Sequence, residues 1–124
     1  MNENMAKALS ALTTAAEKIR GLEEEAREAL FVQDDPQTHR RKLEEKAMLL
    51  MELPELVGPY CETLPDEARE ELEEQLDSFA LRAGRAMELS SLFFMSGLLY
   101  PEEYKEGDPN DLEAFIERFR GRHL

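Results

Sequence analysis

Residues 78–100, SFALRAGRAMELSSLFFMSGLLY, constrain the fold more than any other stretch of this chain. Only Arg82, Arg85 and Glu88 carry charge within it, while the run just before it, residues 66–77, is crowded with acids. A helix that is apolar on nearly every side has to be surrounded, so the segment reads as the central rod of a bundle or the seam of an oligomer. One apolar line, Ala68, Leu72, Leu76, Phe79, Ala83, Met87, Ser90 and Phe94, crosses into it unbroken, and Leu81, Leu92, Met95 and Leu99 add a second. The spacing predicts one rod over 65–99, roughly 50 Å long at 1.5 Å per residue. Ala80, Ala83, Gly84, Ala86 and Ser90 let a neighbouring helix approach more closely there than Leu would.

The other elements follow from the same periodicity. Met5, Leu9, Leu12, Ala16, Ile19, Ala26 and Leu30 repeat in steps of four and three, which predicts a helix over 4–31 with Asn2 or Asn4 as its cap. Asp34 or Asp35 then caps a second helix with Pro36 at its first position. Leu43, Ala47, Met48, Leu50 and Met51 make its inner face, and Pro54 and Pro59 are expected to kink it before it ends near 62. Tyr100-Pro101 stops the third rod. After a turn at Gly107, Asp108 as cap and Pro109 as first residue open a last helix over 109–120, carrying Leu112, Phe115, Ile116 and Phe119. The expected fold is all-α: an antiparallel helical bundle of three long helices plus a short C-terminal helix, one domain over 1–124.

The chain has 124 residues, 42% of them hydrophobic and 35% charged, enough for a modest core. Its net charge of −13 opposes any general affinity for nucleic acid or anionic membrane, because the summed field repels both. The acidity is spread along the chain and is densest around residues 70–77. Cys61 is the only cysteine, which excludes an intrachain disulfide and a cysteine metal cluster. The start, MNENMAKALS, lacks the pattern of a secretory signal, and no apolar run reaches the roughly 20 residues a membrane helix needs. A cytoplasmic protein is the expectation.

Each candidate for chemistry meets a plainer reading. A di-iron bundle needs Glu-x-x-His, but Pro36 stands three before His39 and Arg120 three before His123. Asp108, Asn110 and Asp111 imitate part of a calcium loop without its glycine, so capping is the better account. Neither Cys61 nor Ser90, Ser91 and Ser96 stands in a nucleophile motif, and no glycine pattern cradles phosphate. No catalytic residue, cofactor or metal site is assigned.

Two basic clusters, His39, Arg40, Arg41 and Lys42, and Arg118, Arg120 and Arg122, are expected to pair with the abundant acids or to complement a helix end. Arg85 and Glu88 are spaced to pair along one helix, with Arg82 reaching an acid elsewhere; the functional alternative is an anion pocket lined by both arginines. Met48, Met51, Met87 and Met95, with Phe93 and Phe94, offer adaptable apolar surface.

The leading expectation is a non-enzymatic helical interaction protein, an adaptor, assembly factor or small acidic chaperone. Its surface for a second copy or a client helix is Met87, Phe93, Phe94, Met95, Leu98 and Leu99, and a homodimer is expected because the third rod exceeds what its neighbours can cover. A small-anion-binding or enzymatic bundle near Arg82 and Arg85 is the alternative, and a nucleic-acid role through residues 39–42 comes third.

Overall fold

The computed structural model describes residues 3–124, which form five helices and no strand: α1 (Glu3–Phe31), α2 (Pro36–Cys61), α3 (Asp66–Glu88), α4 (Leu92–Gly97) and α5 (Asp111–His123). The all-α bundle expected from periodicity is present, with three long helices and a short C-terminal one. The expected cap Asn2 lies outside the described residues. Asn4 is not a cap, because the helix already includes Glu3; its amide instead donates to Thr63 Oγ1 in the α2–α3 connection.

Local chemistry sets the helix limits. Asp35 caps α2 by accepting from the Thr38 amide at 3.1 Å and the Thr38 hydroxyl at 2.6 Å, with Pro36 at the first position. The helix then runs on through Pro54 and Pro59, which were expected to kink it, and ends at Cys61, close to the expected 62. An internal proline costs about 3 kcal/mol, but burial of Leu50, Leu53, Val57 and Cys61 on both sides of the two prolines offsets it, at about 1.5–3 kcal/mol per large side chain.

The expected single rod over 65–99 is the main correction. α3 stops at Glu88, where the Ser90 amide bonds the Met87 carbonyl at 3.0 Å and the Ser91 amide bonds the Ala86 carbonyl at 3.2 Å. Ser90 has φ +48, so this is a left-handed helix stop made with serine in the place glycine usually takes. Ser91 then starts α4 by accepting from the Phe94 amide at 3.1 Å. α5 begins at Asp111 and not at 109, because Asn110 and Glu113 form a reciprocal capping box.

α1, α2 and α3 are successive antiparallel neighbours, with most packing between α1 and α2 and between α2 and α3. α5 fills the fourth corner, touching both α1 and α3. Its start is tied to the middle of α1 by Arg20 and Glu113, Phe115 meets Phe79 edge-on, and its end reaches Glu71 near the start of α3. It therefore runs antiparallel to α3 along the bundle rather than closing its end. α4 does the closing: Met95, fully buried, joins Ala26, Leu43 and Ala86 in a small second core at the end of the main one.

Candidate functional site

α4 has two unlike faces. Its inner side places Met95 in the core, while Phe93 is 80% and Phe94 51% exposed, their rings edge to face with centroids 5.6 Å apart. Leu89, in the turn before α4, is 64% exposed. These side chains border an open groove of about 720 Å³ between α3, α4 and the segment leading to α5, to which Leu98, Arg82 and Arg85 also contribute.

The expected surface residues thus divide. Phe93 and Phe94 are exposed, and Met87 and Leu98 are half-buried. Met95 and Leu99 belong to the core of the single chain, so neither can form a contact face while the fold is intact. The reason is the break at 89–91: it turns α4 away from the α3 axis, so periodicity carried across it assigns the wrong faces.

The expected ion pairs of this region also need correction. Arg85 and Glu88 form none, and Arg82 meets no acid among the described residues. Arg82 donates instead to Ser78 Oγ at 3.0 Å and lies 5.7 Å from the Phe79 ring centroid. The other basic clusters are half paired: Arg40 with Glu44, Lys42 with Glu25 and Arg122, beside His123, with Glu71, while Arg41, Arg118 and Arg120 form no ion pair among the described residues. His39 Nδ1 lies 2.8 Å from the Ala26 carbonyl and so acts as a donor to it. Cys61 is buried, its thiol donates to the Val57 carbonyl at 3.5 Å, and burial pushes its pKa up, all of which disfavours a nucleophile.

Behind α4 lies a polar cluster that the sequence did not announce. Lys46 Nζ sits 2.9 Å from Glu23 Oε2 and 3.3 Å from the Ser96 carbonyl, over the Tyr100 ring at 5.2 Å from its centroid. Tyr100 donates its hydroxyl to Glu23 Oε1 at 2.6 Å and accepts from Arg20 at 3.2 Å. Arg20 grips Glu113 through Nε at 3.1 Å and Nη2 at 2.7 Å, and also reaches Tyr104 and the Asp108 carbonyl. The one signal was position: Lys46 falls between Leu43 and Leu50 on the inner face of α2, where a charge needs partners.

Electrostatics make this cluster a clamp. Burial lowers the Lys46 pKa against the opposing pull of Glu23. Burial, with the Glu23 charge, pushes the Tyr100 phenol well above its usual range, so it keeps its proton. The hydrogen bond from Arg20 holds Glu113 below the ordinary carboxylate range and raises the guanidinium in turn. Lys46 is paired with Glu23 and Arg20 with Glu113, so neither brings an unpaired charge to the adjoining cleft of about 690 Å³. What the cluster does is fasten α4 and residues 100–110 to α1 and α2. Among the described residues no three side chains are arranged to hold a metal, and no helix is long and apolar enough to cross a membrane.

Neither a family model, nor a curated protein, nor a solved structure matches this chain.

Proposed function

We propose that this is a non-enzymatic helical interaction protein whose working surface is the apolar groove beside α4. The observation that supports this reading is the pairing of opposites in one six-residue helix: two phenylalanines held out in water, on an element whose other side is pinned by a buried methionine and by Lys46. A floppy segment would fold its aromatics inward, because burying one is worth about 1.5–3 kcal/mol. Keeping them out on an anchored helix favours a surface preorganised for another polypeptide. An adaptor, an assembly factor and a small acidic chaperone all use such a surface.

The test compares affinity capture from the native cell by the wild type and by a Phe93→Glu/Phe94→Glu variant. Loss with the variant of polypeptides retained by the wild type supports the reading; identical capture overturns it. The anion-binding alternative keeps one supporting observation: among the described residues neither Arg82 nor Arg85 forms an ion pair. A thermal shift with anionic metabolites that Arg82→Ala abolishes would favour it. The nucleic-acid reading has lost support, since Arg40 and Lys42 are engaged by Glu44 and Glu25.

A further inference from the structure

The charges around the groove bear on what occupies it. α3 brings Arg82 and Arg85 to it, the segment after α4 brings Glu102, and the start of α5 brings Asp111. None of these four forms an ion pair with another described residue. Leu89, Phe93, Phe94 and Leu98 supply the apolar lining. The patch is therefore locally balanced on a chain whose net charge is −13.

Two copies of so acidic a chain repel each other over most of their surfaces. A second copy can approach only where charge is locally balanced and each charge finds its opposite. Two cations on α3 and two carboxylates on the chain beyond α4 meet both conditions for a two-fold contact, because the axis can set the arginines of one copy against the carboxylates of the other. A uniformly acidic or basic partner would leave two of the four charges facing their own sign. The edge-to-face phenylalanines supply the desolvated centre such a contact needs.

We infer that the groove is closed by α4 of a second copy of this chain, in a two-fold dimer where Arg82 and Arg85 of each copy face Glu102 and Asp111 of the other. The inference rests on reading the groove as a docking surface and adds the identity of its occupant.

Sedimentation equilibrium of the full chain tests it. The wild type sediments as two chains. Arg82→Glu/Arg85→Glu and Glu102→Lys/Asp111→Lys each weaken self-association roughly tenfold or more, since every facing pair becomes like-charged. An equimolar mixture of the two variants restores a dimer containing one chain of each, because every facing pair is then opposite. Asp111 stands in the first turn of α5, so Glu102→Lys alone replaces the acidic-side variant if circular dichroism shows the double change unfolded. A monomeric wild type, unaffected variants, or a mixture that stays monomeric overturns the inference. If the wild type is monomeric while Phe93→Glu/Phe94→Glu still loses captured polypeptides, the docking surface stands and only its occupant was wrong.

Discussion

Lys46 Nζ lies 2.9 Å from Glu23 Oε2 with none of the lysine side chain open to solvent. Two charges in that position hold one another, and through Ser96 and Tyr100 they also hold the end of α4. Lys46→Met leaves Glu23 buried without its cation and should cost about 3 kcal/mol. Adding Glu23→Gln should cost much less than the sum of the single changes, since no uncompensated charge remains. Urea unfolding of the four proteins reads the coupling; additive losses would mean that the pair does not act as a unit.

The two faces of α4 predict opposite responses to truncation. Met95→Ala removes a fully buried side chain and should destabilise by about 2–5 kcal/mol. Phe93→Ala removes an exposed one and should stay within about 0.5 kcal/mol when measured at a concentration too low for association. Thermal denaturation of both variants at high dilution checks the orientation of the helix.

The turn between α3 and α4 predicts a gain and a loss at adjacent serines. Ser90→Gly should stabilise by about 0.5–1 kcal/mol, since φ +48 is strained for serine and free for glycine. Ser91→Ala should cost about 1 kcal/mol by removing the cap on the Phe94 amide. In a continuous rod the signs would differ: glycine would destabilise and alanine would not, and calorimetry separates the cases.

Acid should weaken the fold through Glu113. Its folded pKa is depressed, first by the hydrogen bond from Arg20 and also by the Asn110 amide, below an ordinary value of 4.5. The stability it contributes is therefore complete above 4.5 and is lost as pH falls through the lower folded value. Asp35, lowered by its bonds from Thr38, acts in the same direction. Urea midpoints should fall with pH below 4.5, and Glu113→Gln should flatten that decline.

Which parts of this architecture were legible in the sequence follows from how local their causes are. The α1 line from Met5 to Ala26, the Asp35-Pro36 start of α2 and the apolar face of α5 each rest on spacing or a neighbouring cap, and the structure places them accordingly. The end of α3 was hidden because Ser90 takes a conformation usually given to glycine, while Ser91 looks like any small helix residue. That misreading propagated: carrying one rod over 65–99 put Met95 and Leu99 on the contact surface together with Phe93 and Phe94, whereas the turn leaves only the two phenylalanines of these four exposed. The Arg20–Glu113 and Lys46–Glu23 contacts join residues 93 and 23 positions apart, beyond the reach of any local pattern.

Photo-crosslinking in the native cell tests the interaction reading most directly. A photoreactive side chain at position 93 should crosslink to another polypeptide, a second copy of the chain included, while the same group at exposed Glu45 on α2 should not. Equal yields at the two positions, or none at position 93, would contradict the claim that the surface of α4 is where this protein meets its partner.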